Sequence, residues 1–274
     1  MRKRLLNKKY AYYIAAIAVL LIVFAVVGFA AEGAASADTG FFAEFKAKLI
    51  NNFVKEDRWK YLTSGLLNTL IISFFAVIIG VVLGFIIAIL RSACDMLDKK
   101  NIFTKTLNGI LKAYLTVIRG TPALIQLLII YYVIFTSPNV SKLFVAVISF
   151  GLNSSAYIAE IVRSGIMSID KGQFEAGRSL GFTYAQTMWH FILPQAFKNI
   201  LPALGNEFIV LIKETSIAGY IGINELTRGG DFIRSRTYEA FLPLIAVAVI
   251  YLVIVMILTK LVDMMERRLK TDGR

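Results

Sequence analysis

Residues 66–90 read LLNTLIISFFAVIIGVVLGFIIAIL, with no charged side chain among them. A helix of that length crosses the roughly 30 Å hydrocarbon core of a bilayer. Further apolar runs lie on either side of it: Tyr12–Ala31, Thr121–Thr136, Leu143–Ile166, Ile200–Ile223 and Phe241–Val262. Together they predict an all-α integral membrane protein with six spanning helices. Thr121–Thr136 is short, and Pro122 suits the first turn of a helix. Leu143–Ile166 holds Glu160 and Arg163 near its end, and Ile200–Ile223 holds Glu207, Lys213 and Glu214.

The composition agrees. Of 274 residues, 57% are hydrophobic and 18% charged, below the roughly 25% charged of a soluble domain. Disordered, collagen-like and disulfide-scaffold classes are excluded. The single cysteine, Cys94, allows no intrachain disulfide, and His190 is the only histidine. No zinc or iron cluster can be drawn from them. The net charge of +12 would suggest nucleic acid in a soluble protein, but membrane topology explains it here.

With the N-terminus inside, six spans place both termini inside. Nineteen Lys and Arg then fall inside and nine outside, with Arg119 and Lys213 left at or within the membrane. That bias follows the positive-inside rule. The first run admits two readings. It is an uncleaved anchor, or a signal peptide ending at Ala35-Ser36-Ala37; its length favours the anchor. The expected organisation is a cytoplasmic tail (1–11), a first helix (12–31), an extracytoplasmic amphipathic segment (32–60), a main membrane domain (61–268) and a second tail (269–274). Within 32–60, Phe41, Phe45, Leu49 and Phe53 recur every four residues, as in a helix lying on a membrane surface. Gly80 and Gly84 form a small-xxx-small pair, which favours close helix packing within the chain over a dimer seam.

An enzyme reading is poor. Residues 172–179, GQFEAGRS, resemble a phosphate-binding loop, but Arg178 stands where lysine is required and no strand precedes it. No Ser/His/Asp set or paired catalytic carboxylates stands out. Charged groups within spans are costly and face protein or a water-filled cavity. Asn153, Tyr157, Glu160 and Ser164 share one helix face. Glu160 and Arg163, three apart, either pair with each other or line a pathway. Lys213 and Glu214 present both signs of charge, which suits a zwitterion. Arg119 reads as an interfacial, snorkelling residue.

The segment between the fourth and fifth runs carries the most specific pattern. Glu175-Ala176-Gly177, then Gly181 four residues on, then Ile192-Leu193-Pro194 resembles the EAA coupling loop of bacterial ABC-importer permeases. Gly177 replaces the family's second alanine, and Phe191 takes an isoleucine position. The reading places one short helix ending near Leu180, a break at Gly181, and a second helix from Thr183 that stops at Pro194. Tyr61–Leu66 with Asn68-Thr69-Leu70, Arg119-Gly120-Thr121-Pro122 with Gln126, Asn153–Ile161 with Arg163 and Gly165, and Lys213-Glu214-Thr215-Ser216 resemble the polar amino acid subfamily over about residues 60–268. The resemblance implies a type I permease core of five helices, with the first helix an addition. It implies a permease subunit, not an enzyme, in a bacterial cytoplasmic membrane. ATP and Mg would bind to a partner dimer of ATP-binding subunits, and no cofactor to this chain. A second permease subunit, a copy or a paralogue, would complete the pathway, and an extracytoplasmic binding protein would deliver a polar amino acid. Glu175, Ala176, Gly177, Gly181, Leu193 and Pro194 would form the coupling loop. Asn153, Tyr157, Glu160, Lys213, Glu214, Thr215 and Ser216 are the candidate pathway residues. A secondary transporter driven by an ion gradient is the alternative.

Overall fold

A computed structural model describes residues 41–96 and 101–271, and every regular element among them is helical. The first apolar run, 12–31, lies outside the described residues. We number the helices α1 (Phe41–Leu49), α2 (Trp59–Met96), α3 (Ile102–Gly120), α4 (Ala123–Ile129), α5 (Lys142–Met167), α6 (Lys171–Ser179), α7 (Tyr184–Thr187), α8 (Leu193–Glu214), α9 (Leu226–Thr237) and α10 (Phe241–Thr271).

Three helices among the described residues are long and apolar enough to cross a membrane: α2, α5 and α10. The chain is therefore a helical membrane protein. Two of the expected spans are not single straight helices. The run Thr121–Thr136 is the second half of a bent pair: α3 and the helix through Ile134 meet at a bend of 110°. Between residues 102 and 120, Lys105, Lys112 and Arg119 interrupt the apolar sequence. These cations lie seven apart on one face, while Phe103, Ile110 and Val117 repeat on the other. The run Ile200–Ile223 is divided. Its helix is Leu193–Glu214, followed by a 3₁₀ turn, Thr215–Ile221, that ends at Gly222 with φ of 79°.

α5 is the central helix, and its longest seam is with α2. Gly84 makes that seam possible. A Cβ there would lie 2.7 Å from Ile158 Cγ2, so only glycine lets the two helices approach this closely. The pair Gly80/Gly84 thus packs within the chain. The outward face of α2 (Phe74, Ile78, Val82, Ile86) and of α10 (Val253, Ile257, Leu261) is exposed and apolar, as a lipid-facing belt requires.

The described part of the segment expected to lie on a membrane surface, residues 41–60, departs from a simple surface helix. α1 stops at Leu49 and a π-helical turn, Ile50–Val54, follows. The turn swings Asn52 inward, where its amide donates to Lys48 O at 2.9 Å and to Glu239. Phe53 packs on the Leu62/Leu226 cluster, so this part rests on protein. Arg58 is buried, donating to Asn51 O at 2.8 Å and pairing with Glu56 at 3.1 Å. Arg58 holds the Glu56 carboxyl below its usual pKa.

The break between α3 and α4 leaves backbone carbonyls without their helical partners. Side chains supply donors instead. The Gln126 amide lies 2.8 Å from Ile118 O and 3.1 Å from Thr121 O. The Thr121 hydroxyl donates to Val117 O at 2.8 Å. Asn153 of α5 donates to Gln126 Oε1 at 2.9 Å and fixes its orientation. Gln126→Leu leaves these carbonyls without a donor. It is expected to cost about 1–3 kcal/mol, read as a lowered Tm of the detergent-solubilised chain; an unchanged Tm would show that the break is satisfied some other way.

Candidate functional site

Two features stand apart from the lipid-facing scaffold: a protrusion at residues 170–195 and a cavity between α5 and α8.

The protrusion begins where Asp170 caps α6, accepting from Gly172 N at 2.6 Å. α6 ends in a Schellman turn. Phe182 N donates to Gly177 O at 3.1 Å and Gly181 N to Arg178 O at 2.9 Å. Gly181 sits at φ of 80° with open space around it, a conformation that favours glycine. Thr183 then opens α7 with a capping box to Gln186. The break at Gly181 is as the sequence predicts. The expected stop at Pro194 is not found. A π turn, Met188–Ile192, joins α7 to α8, and Pro194 lies in the first turn of α8, where a missing amide costs little.

Gly177, read in the sequence as a mild departure, has a packing cause. A Cβ there would fall 2.5 Å from both Cγ2 and Oγ1 of the buried Thr187. α6 and α7 therefore cross in contact at this glycine. Stacked Phe174–Tyr184 rings, 6.1 Å apart, and edge-on Phe182–Phe191 rings, 5.3 Å apart, complete the unit. Burial raises the Tyr184 hydroxyl pKa. Phe174, Met188 and Leu193 pack on the cluster of Val162, Ile166, Ile192, Ala196 and Ile200. The protrusion is thereby continuous with α5 and α8. Its outer surface presents Glu175, Ala176, Leu180 (72% exposed) and Trp189 (71% exposed).

The cavity, about 550 Å³, is lined by Arg119, Tyr157, Glu160, Ser164, Asn199 and Glu207 among others. Glu160 pairs with Arg163 one turn away and with Arg119 at 3.7 Å. Arg119 therefore sits beside the helix break and lies 6.0 Å over the Tyr157 ring. It lies in the cavity wall. Glu207 accepts from Ser154 at 2.9 Å, and no cation lies within ion-pairing distance among the described residues.

The seven candidate pathway residues do not converge. Tyr157 and Glu160 line the cavity. Asn153 is 3% exposed and holds Gln126. Lys213 and Glu214 lie at the end of α8, away from this cavity. Thr215 is fully buried, donating to Ile212 O at 2.7 Å, and Ser216 follows in the 3₁₀ turn. Glu207 belongs to the cavity although the sequence reading left it out of the pathway set. Its only signal there was a carboxylate inside an apolar run.

The remaining polar pattern of α2 has a structural use. Asn68 donates to Asn224 O at 2.8 Å, and Thr69 Oγ1 accepts from Leu226 N at 3.2 Å. These residues hold the buried Glu225, whose carboxylate caps α9 by accepting from Thr227 N and Arg228 N, each at 2.7 Å.

A helical membrane core with a bent helix pair, an open cavity edged by charged groups and a packed protrusion fits a transport permease. Residues 80–271 match the family described as binding-protein-dependent transport system inner membrane component, and the chain belongs to that family. It is similar to the arginine transport system permease protein ArtQ of Bacillus subtilis (strain 168). The two are 39% identical over 209 residues, 76% of this chain and 93% of that protein. The L-cystine transport system permease protein TcyB of the same organism is 38% identical over 221 residues, 80% of this chain and 90% of that protein. Among solved structures, the crystal structure of an amino acid ABC transporter with histidines superposes with a TM-score of 0.69 at 42% identity. It covers 84% of this chain and 99% of that one. The inward-facing MetNI methionine ABC transporter shares the fold, with a TM-score of 0.67 at 22% identity, over 78% of this chain and 99% of that one.

The Gly177–Thr187 contact makes a paired prediction. Gly177→Ala alone is expected to destabilise the protrusion by about 1–3 kcal/mol through overpacking. Adding Thr187→Ala is expected to restore it. A double-mutant cycle on thermal unfolding reads the coupling, and additive losses would rule the contact out as the cause.

Proposed function

We propose that this chain is the membrane-spanning subunit of an ATP-driven importer for a polar amino acid. ATP-binding subunits carry ATP and Mg and dock on the protrusion around Glu175, Ala176, Gly177 and Gly181. A second permease subunit completes the pathway, and an extracytoplasmic binding protein delivers the solute. Both termini and the protrusion face the cytoplasm of the cell. The observation that carries this reading is the protrusion itself. It exposes Glu175, Leu180 and Trp189 for a partner while packing without interruption on α5 and α8. The relatives' names, arginine and cystine permeases, support the substrate class.

The cavity beside α5 and α8 supports a solute route. Its volume falls within the roughly 300–1,000 Å³ of small-molecule sites. Arg119 and Glu207 offer opposite charges to the two ends of a zwitterion, and Ser164 and Asn199 offer neutral hydrogen bonds. Tyr157 supplies an aromatic wall.

The test is reconstitution with the chain's own ATP-binding and binding proteins, with ATPase activity and uptake measured across a panel of amino acids. One solute class should stimulate both. Gly181→Asp is expected to cut stimulation and uptake at least tenfold while membrane insertion is retained. Gly181→Asn, which tolerates the left-handed turn better, should keep more of both. Full uptake by Gly181→Asp, or uptake that follows a proton or sodium gradient without nucleotide, would overturn the proposal. Glu207→Gln is expected to weaken solute uptake about tenfold or more, the scale of a lost charge-assisted contact, with binding-protein docking unchanged.

A further inference from the structure

A second cavity, about 450 Å³, lies between α2, α3 and α5 and is lined by Arg91, Lys112, Leu115, Thr116, Arg119 and Tyr157. Three of these six residues are cations and none is an acid. Arg119 has a partner in Glu160, which Arg163 shares. Arg91 and Lys112 have no ion pair among the described residues, and the Nε of Arg91 is buried without an acceptor. Cations gathered around one groove repel one another, and an anion among them offsets that repulsion; Glu160 reaches this group from the neighbouring cavity.

The position of the groove identifies the anion's source. Arg91 is the first charge after the uncharged run Leu66–Leu90 of α2, so it marks the membrane–water boundary. Lys112 and Arg119 lie seven residues apart on one face of α3. α2 carries exposed apolar side chains in the turns before Arg91, at Ile86, Ile89 and Leu90. A phosphate headed by cations, with apolar surface running away from it into the bilayer, is the form of a phospholipid. Basic pockets between membrane helices bind such headgroups.

We propose that this groove holds the phosphate of an anionic phospholipid from the cytoplasmic leaflet. Arg91 and Lys112 are the principal ligands. The choice of leaflet rests on the orientation given under the proposed function; the headgroup chemistry does not. Lipid filling this groove would brace α3 against α2 and draw Arg119 from Glu160 toward the groove.

Native mass spectrometry of the full chain tests this without any transport. The protein would be exchanged into nanodiscs of phosphatidylglycerol or phosphatidylcholine and released. One phosphatidylglycerol per chain should persist, and phosphatidylcholine should not. Arg91→Gln with Lys112→Gln should reduce retention about tenfold or more. Lys105→Gln, on the same face of α3 but outside the groove, should leave it unchanged, and Arg91→Lys should retain part. Equal retention of both lipids, or full retention by the double variant, would overturn the proposal. Displacement of the lipid by millimolar inorganic phosphate would make this a soluble-anion site and overturn the lipid assignment. Loss of importer activity elsewhere would leave these readouts unaffected, so the two readings fail separately.

Discussion

The fold turns on backbone groups that lose their helical partners. Between Gly120 and Pro122 the chain bends at an exposed corner, and proline brings no amide of its own to the break. Gln126 supplies the missing donor, held in place by Asn153 across the gap. That one side-chain relay ties α3, α4 and α5 together. It lets α4 turn Leu127 into the cluster of Ile72, Ala146, Phe150 and Leu211. It also leaves Arg119, the next residue on the α3 side, at the wall of the cavity. A continuous helix would satisfy its own carbonyls, and would carry Arg119 past Glu160 instead of beside it.

α5 then carries the consequences to the end that bears the protrusion. It meets α2 at Gly84 and α8 at Gly165, where a Cβ would lie 2.3 Å from Ile200. Contacts this close do not slide independently, because packed interiors deform little. Ile166, Ile192 and Ile200 form one cluster that touches both the cavity-lining helices and the base of the protrusion. Asn199 adds a polar tie to Ser168 at 2.9 Å. A force on Leu180 or Trp189 has a rigid route to Glu207 through α8. The same route makes the cavity sensitive to whatever holds the protrusion.

The parts legible in the sequence were those with a local cause. An uncharged run declares a span. A glycine after a helix declares its stop, and Gly181 does. Glu160 and Arg163, three apart on one helix, pair as spacing predicts. The parts missed depended on distant partners. Glu207 meets Ser154 from 53 positions away, and nothing local to either residue announces the other. Asn153 meets Gln126 from 27 positions away, and nothing local announces that bond. α3 escaped notice because its basic face breaks the apolar run, although the opposite face is apolar at the same spacing. The two π turns, at 50–54 and 188–192, add a residue to a helix without changing its composition. They move Asn52 inward and carry the chain past Pro194, and periodicity alone reads neither.

Charge is distributed unevenly around the break. One cavity contains Glu160 and Glu207, the other Arg91 and Lys112, and both share Arg119 and Tyr157. Arg119 is therefore drawn toward Glu160 and repelled from its neighbouring cations. An anion in the groove shared with Lys112 would relieve that repulsion and compete with Glu160 for Arg119. Each arrangement leaves a different net charge facing Glu207. The polarity of the cavity that holds Glu207 is thus set partly by Arg91 and Lys112, which line only the neighbouring groove.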